Sequence, residues 1–248
     1  ISLIIYAGII VGLPGAVVLL AVPDGALAAV ASRLAAAVPC RDRVFLHLSG
    51  AHGRSMLEPL AARGARTGVC HPLAVLPATS PAADLLAGAG FAVDGDTRAV
   101  AMARRLVRDL GGHPFTVRPH ARPAYHLAAS LVANDTLALV DLATALLRRA
   151  GLPADVARAS LAHLLAGTAA ALEHASVEQA LTGPVARGDA ETLRLHLTAA
   201  EATGGPAAAL HRALSRVLID IARRSGRLDA AGVRRLIREL RAAPRRRP

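Results

Sequence analysis

The sequence predicts an α/β domain built on a doubly wound parallel sheet, incomplete at its N-terminal end, followed by an all-helical domain. Three observations carry this. Strand and helix patterns alternate as far as Val117, whereas from Arg122 to Arg241 no convincing strand occurs and apolar stripes recur at helical spacing. The apolar share of 53% is Ala, Leu and Val, with only 2% aromatic residues, a mixture suited to close helix packing. At 248 residues the chain is long enough for two domains that each bury a core.

The elements follow in order. Ala16 to Val22 (AVVLLAV) is a continuous apolar run between Pro-Gly and Pro-Asp-Gly, as a central parallel strand should be. Ala26 to Val38 reads as a helix, Val44 to Leu48 as a strand, Gly53 to Arg63 as a helix and Thr67 to Cys70 as a short strand. Phe91 to Val93 and Phe115 to Val117 read as strands flanking a helix, Asp96 to Leu110, which Gly111-Gly112 would cap. The boundary is expected near Pro119, giving domains at 1–118 and 119–243. The helical half should contain Tyr125 to Ala150, stopped by Gly151 and restarted at Pro153, then Asp155 to Glu173, Asp189 to Ala202, Pro206 to Arg224 and Asp229 to Arg241. Residues 244–248 read as a disordered basic tail.

Charge and cysteine content exclude several classes. The formal charge is +11, but all 29 basic residues are Arg, spread along the chain with few aromatics among them. They are densest at Arg245, Arg246 and Arg247, but without base-stacking rings among them solvated surface is the better reading than nucleic-acid binding. Cys40 and Cys70 lack CxxC or Cys/His ligand spacing, so neither a disulfide framework nor a metal site is indicated, and a reduced cytoplasmic setting is expected. The first 23 residues are uncharged, long enough for a membrane span. Pro14-Gly15 interrupts them, and the second part reads as a buried strand, so no membrane partner is expected.

In an open α/β sheet, ligands bind beyond the carboxyl ends of the strands. The residues placed there are Ala21, Val22, Pro23 and Asp24 after the first strand, Ser49, Gly50, Ala51 and His52 after the second, and His71, Pro72 and Leu73 after the third. Ser49-Gly50-Ala51 is a small-residue turn over which a flat or anionic ligand could approach. Arg122, Tyr125 and His126 fall at i, i+3 and i+4 on the opening turn of the long helix, with Asn134 two turns on. A cation, a phenol and an imidazole together suit carbonyl reduction, in which an alkoxide must be stabilised and protonated. A helix terminus with satisfied surface polar groups explains the same residues and, on the residues alone, is slightly the better reading. Between later helices, Thr182, Arg187 and Asp189 form a glycine-rich turn with Asp189 as an N-cap.

Taken in order and spacing, SGA, HPL, FAVDGD (Phe91 to Asp96), LGGHPF (Leu110 to Phe115), RPAYHLAASLVAN (Arg122 to Asn134) and LTGPVARGDAETLRLHL (Leu181 to Leu197) resemble the Rossmann-like proteins with a DUF2520 C-terminal domain. That group is similar to the 6-phosphogluconate dehydrogenase-like enzymes, including pyrroline-5-carboxylate and ketopantoate reductases. The resemblance implies NADP(H), with NAD as the alternative, a small 2-oxo acid substrate such as ketopantoate in pantothenate synthesis, and a homodimer formed through the helical domain. By position it implies that Ala21 to Asp24 pass near the cofactor ribose, with Ser49 to Ala51 by the nicotinamide and His71-Pro72 also on the cofactor side. Arg122, Tyr125, His126 and Asn134 would line the substrate, and Thr182, Arg187 and Asp189 would close the cleft or reach across a dimer.

Two departures from that group stand out. Where relatives commonly carry Lys, this chain has Arg122, which stays protonated, so the proton is expected from His126 or Tyr125. The GxGxxG fingerprint that places a pyrophosphate on a helix N-terminus is absent. Ser2 to Gly12 resembles a first strand with a glycine turn, but Gly8 and Gly12 are out of register. The first βαβ segment is thus expected to be missing. Two main readings stay open: an NADPH-dependent reductase of a small 2-oxo acid, or a non-catalytic dimeric scaffold or ligand-binding module with a decayed dinucleotide site. An Arg-rich nucleic-acid binder is a third, weaker reading.

Overall fold

The structure is a computed structural model that describes residues 5–6, 9–10, 17–76 and 85–242. It comprises two compact units, Ile1–Asp135 and Thr136–Pro248. Residues 244–248, read as a basic tail, lie outside the described residues. The last strand ends before Pro119 and helices follow, and the compact-unit boundary falls later, within a single helix.

The first unit is a seven-stranded sheet with helices on both faces. Its strands are β1 (Ile5–Tyr6), β2 (Ile9–Ile10), β3 (Val17–Leu20), β4 (Val44–His47), β5 (Arg66–Pro72), β6 (Gly90–Gly95) and β7 (His113–Thr116), arranged in that order. The pairs β3–β4, β4–β5 and β6–β7 are parallel, as the alternating pattern predicts. Two features depart from a wholly parallel, doubly wound sheet. β6 runs antiparallel to β5, because the chain after Pro72 re-enters the sheet from the end at which it left. The short β1 and β2 add antiparallel to β3 through Ile9↔Leu20 and Ile10↔Leu19, so the segment read as a first parallel strand is an antiparallel edge. Strand order then follows chain order, and the described residues show no point at which it reverses.

Side-chain alternation sorts the two cores. Val18, Leu20 and Phe45 face α1 (Asp24–Ala37), whose Leu27, Ala31 and Ala35 recur every four residues. The same core takes Leu57 and Leu60 from the segment expected as one helix at 53–63. There the chain makes a 3-10 turn, Arg54–Leu57, and then the short α2 (Glu58–Ala61), with Pro59 in its first turn. On the opposite face, Val44, Leu46, Cys70, Phe91 and Val93 pack against Ala99, Ala103 and Val107 of α3 (Thr97–Asp109). Asp96 caps α3 by accepting from Ala99 N at 3.0 Å, and its other oxygen accepts from Thr67 N at 2.7 Å. Beside it Gly95, at φ +143°, lies so close to β5 that a Cβ would sit 2.5 Å from the Thr67 carbonyl oxygen, which requires glycine.

A 3-10 turn, Pro119–Ala121, leads into α4 (Arg122–Arg149). Pro123 sits in its first turn, where a missing N–H costs no hydrogen bond. There follow α5 (Ala154–His174), α6 (Val177–Ala180), α7 (Ala190–Thr203), α8 (Ala207–Arg224) and α9 (Ala230–Arg241). The core of the second unit is built by Leu193 and Leu197 of α7, Ile219 and Ala222 of α8, and Leu236 and Leu240 of α9, with Val185 and Leu228. Arg212 ties it together by donating to the Leu240 carbonyl at 2.8 Å and pairing with Glu201. The two longest helices are different: the buried residue of α4 is Arg122 and that of α5 is Ala157.

Candidate functional site

The register of the sheet explains how its carboxyl edge becomes a site. His47 on β4 pairs with Val69 on β5, and Val69 with Asp94 on β6, so His47 and Asp94 stand at one level. Phe45 and His47 share the face of α1, while Phe91 and Val93 point to α3 and leave Asp94 on the α1 side. Two residues beyond Val69, His71 projects from that same face. Over this row lies the first turn of α4, with Arg122, Tyr125 and His126.

His47 is fully buried and shapes the turn that follows it. Its Nδ1 accepts from Ser49 N at 3.2 Å, which leaves Nε2–H to donate to the Gly53 carbonyl at 3.0 Å. Ser49 Oγ accepts from His52 N at 3.2 Å and completes the loop. Burial pulls the His47 pKa from 6.5 down to about 4. Between those values the unfolded chain binds more protons than the folded one, so acid favours unfolding. The stability involved is present above pH 6.5 and lost as pH falls to 4, to the extent of roughly 3 kcal/mol. Replacing His47 with Asn, which keeps an acceptor for Ser49 N–H but does not titrate, is expected to make the fall in the urea midpoint between pH 7 and pH 4.5 shallower.

Gly50 provides the ledge. A Cβ here would lie 2.7 Å from both His71 Nε2 and His126 Cδ2, so the backbone presses on the two imidazoles and no other residue fits without displacing them. Gly50→Ala is expected to push both rings aside, read as shifts of the His71 and His126 ring resonances, with little change in the melting temperature of the helical unit. Unshifted resonances would show that a methyl group fits.

His71 lies within β5, which extends to Pro72, rather than in a turn after the strand. Leu73 N donates to the Gly90 carbonyl at 2.8 Å, so pairing continues past a proline at the strand end, where its missing N–H is tolerated. His71 Nδ1 and Tyr125 Oη are 2.6 Å apart, with their rings edge-on. Phe115 also packs edgewise on Tyr125, at a 6.1 Å centroid separation. Burial lowers the His71 pKa to about 4, with His126 and Arg122 adding to the shift, and burial raises Tyr125 to about 12 against the opposing pull of Arg122. At neutral pH the pair is a neutral imidazole and a protonated phenol.

Arg122 departs from its expected role. It does not line the cavity but lies beneath the site, 1% exposed, with its guanidinium 3.7 Å from Asp94 Oδ2. That is an ion-pair distance too long for a hydrogen bond, and Nε, NH1 and NH2 have no hydrogen-bond partner among the described residues. Burial lowers its pKa, while Asp94 supports the charge. The opening helical turn therefore points only Tyr125 and His126 outward, because Arg122 fills the gap between helix and sheet. Asp94 is the member of the group that sequence reasoning missed, although the FAVDGD motif contained it.

The cavity at this edge has a volume of about 620 Å³. His71, Tyr125 and His126 line one part, the apolar residues Leu73, Val75 and Val132 its walls, and Ser130 and Asn134 its outer end. Asn134 Nδ2 donates to Ser130 Oγ at 3.4 Å. Ala21 and Val22 lead from β3 to the Pro23 N-cap of α1, and Asp24 stands 3.7 Å from His52. Among the described residues no group of three or more His, Cys, Asp or Glu side chains could hold a metal ion.

The remaining candidates belong to the second unit. Asp189 caps α7, accepting from Thr192 N at 2.9 Å and Thr192 Oγ1 at 2.6 Å, and these bonds hold its carboxyl below the usual carboxylate range. Both oxygens are thus occupied by a structural role. Arg187 is exposed beside it, and Thr182 lines an apolar hollow with Leu164, Leu172 and Val177.

Comparison with known proteins agrees with this architecture. The profile of the family described as "Domain of unknown function (DUF2520)" matches residues 89–218, and that of a Rossmann-like domain matches residues 10–77. No curated protein sequence matches. Among solved structures, protein TM1727 from Thermotoga maritima is 23% identical with a TM-score of 0.70, covering 85% of this chain and 78% of that one. A putative NADP oxidoreductase, BF3122, from Bacteroides fragilis is 22% identical with a TM-score of 0.65, covering 82% and 74%. A Plasmodium falciparum pyrroline carboxylate reductase with NADP bound shares 8% identity with a TM-score of 0.54, covering 89% and 77%. At these identities the structural likeness establishes the fold. With just over half of its length matched by one family profile and its N-terminal sheet by the other, the chain belongs to the DUF2520 family, a Rossmann-like domain joined to a helical one.

Proposed function

We propose that the protein is an oxidoreductase that uses a nicotinamide dinucleotide, with NADP favoured over NAD, to reduce a small carbonyl compound. The finer form of the proposal takes a 2-oxo acid as substrate, ketopantoate first, as in pantothenate synthesis. The observation that carries it is the convergence of Tyr125, His71 and His126 on one cavity beside the Gly50 ledge. Two of the structural neighbours support the cofactor, since one is described as a putative NADP oxidoreductase and another holds NADP.

The described residues fit one end of such a cofactor. Gly50, whose lack of a side chain lets the His71 and His126 rings close against it, stands at the strand edge where α/β sheets bind ligands. A glycine turn leading onto a helix N-terminus for the pyrophosphate does not occur among the described residues, and α1 instead opens with the acidic Asp24. When bound, the reduced nicotinamide supplies a hydride. The chain's own residues would do the rest. Tyr125 is the protonated group at the cavity wall and serves as proton donor, and His126 is the second candidate for that role. Ser130 and Asn134 offer neutral hydrogen-bond partners for the substrate's carboxylate, a task that buried Arg122 does not share. Arg122 instead contributes a fixed positive field beneath the developing alkoxide.

The helical half supports a homodimer. Leu137 and Leu164 are 68% and 67% exposed, and Leu131, Val156, Leu165 and Leu172 continue the pattern along α4 and α5. Exposed apolar side chains along two helices are what a partner's surface would cover in such a dimer. Light scattering is expected to give a dimer that Leu164→Glu weakens, and a monomer at all concentrations would refute it. Cys40 and Cys70 are free and buried, and burial pushes the Cys70 thiol up to about 12, which suits the reducing cytoplasm proposed as its location.

Transfer of deuterium from C4-deuterated NADPH to ketopantoate, and to a panel of 2-oxo acids and ketones, tests the proposal. Label is expected at the former carbonyl carbon of at least one substrate. Failure across the panel despite cofactor binding would count against the substrate class. A second reading, the non-catalytic scaffold, draws on the lack of a pyrophosphate turn among the described residues, and it predicts that no NADPH binds.

A further inference from the structure

His47, fully buried, and His71, partly buried, are used differently. His47 spends both ring nitrogens on backbone groups that shape a turn. His71 instead directs Nδ1 at a side-chain hydroxyl that lines the cavity. Its ring is held on one side by the Gly50 backbone and sits 6.2 Å from His126 between centroids, while pairing of His71 with Ala92 fixes its backbone in the sheet. Phe115 also packs edgewise on the phenol. The Tyr125 hydroxyl is therefore held in place by a neighbour whose proton can lie on either side of the 2.6 Å contact. If the phenol donated to Nδ1, its proton would be turned away from the cavity.

We propose that His71 is a positioning residue for proton delivery, donating its Nδ1–H to Tyr125 Oη so that the hydroxyl proton points into the cavity. The proposal rests on the reductase reading and adds to it, because sequence position alone put His71 on the cofactor side. As hydride bonds to the carbonyl carbon, the π pair passes to the carbonyl oxygen. The Tyr125 O–H bond breaks, its proton bonds to that oxygen, and the electron pair of the broken bond stays on the phenolate. His71 Nδ1–H and the positive field of Arg122, whose charge Asp94 sustains, stabilise the phenolate until water returns a proton. His71 itself neither gains nor loses a proton.

Two measurements test this, and the first needs neither cofactor nor substrate. Long-range nitrogen–proton correlation spectra of 15N-histidine-labelled protein at pH 7 distinguish the tautomers, and the signals missing from His71→Asn assign the ring. A protonated Nδ1 is expected in the wild type, with a shift toward the Nε2–H form in Tyr125→Phe, where the acceptor is gone. A bare Nδ1 in the wild type overturns the proposal even if the protein proves to be a reductase. Conversely, failure of the reductase reading leaves the tautomer result standing, so the two are separable. The second measurement uses steady-state rates. His71→Asn, whose amide N–H can occupy the place of Nδ1–H, is expected to keep turnover within about tenfold, and His71→Leu to lose about a hundredfold at unchanged KM. Equal rates for the two variants would contradict the positioning role.

Discussion

Replacing Asp94 with alanine is expected to destabilise the sheet unit by about 3–5 kcal/mol, because it strands a buried guanidinium without its counter-charge. Arg122 is 1% exposed, and Asp94 supplies the ion pair that offsets its desolvation. The same reasoning fixes the direction of two further variants. Arg122→Met removes the deeply buried cation but leaves the Asp94 carboxylate, 17% exposed and accepting from Gly95 N, without its counter-charge, so its loss should be smaller than that of Asp94→Ala. Combining Asp94→Ala with Arg122→Met should recover most of the loss, since no orphaned charge remains. Urea denaturation of the four proteins measures this as a coupling energy. An Asp94→Ala loss below about 1 kcal/mol, the scale of a surface pair, would mean that Arg122 finds water or another partner. The interest lies in what stability does not explain. If Arg122→Met stays folded yet is slower in reduction, the buried cation is kept for its field at Tyr125.

Replacing Tyr125 with phenylalanine should lower the rate of carbonyl reduction by about 10²–10⁴, the range for loss of a positioned acid. Stability should fall by only about 1 kcal/mol, for one lost hydrogen bond. Substrate affinity and NADPH affinity should be little changed, since the hydroxyl acts in the transition state more than in the ground state. His126→Ala separates the two candidate acids. His126 is the more exposed and touches the Gly50 ledge through its ring edge, so its loss should cost less than that of Tyr125. Full turnover in both variants would make the acid assignment wrong while leaving the class of reaction open.

Much of this fold was legible because burial acts on short, regular patterns. The run Val17–Leu20 is a strand because its residues must satisfy two apolar faces at once, and α3 announces itself by Asp96 before it and Gly111 after it. Pairing direction was not legible. The Phe91–Val93 run of Gly90–Gly95 is continuous and apolar like those of the parallel strands, so its antiparallel pairing with β5 follows from the route of the chain and not from its composition. The short α6 was missed although Ser176 and Gln179 form a capping box around it, a signal easily passed over when only four residues follow.

The site divides along similar lines. Tyr125 and His126 could be placed together from helical spacing alone. Their union with His71 depends on a contact across 54 residues of sequence, which follows only from sheet register. Arg122 shows the limit of the spacing argument. It shares a helix face with both neighbours, yet in the first turn that face splits into an inner and an outer part, and only register against Asp94 decides which side the guanidinium takes.

The central claim is that a nicotinamide dinucleotide binds at the Gly50 edge of the sheet. Calorimetric titration of the full-length protein with NADPH, with NADH in parallel, tests it most directly. The account predicts saturable binding of one NADPH per chain, tighter than NADH and weakened by Gly50→Ala. Absence of binding at millimolar NADPH by a folded protein would contradict it and favour the scaffold reading.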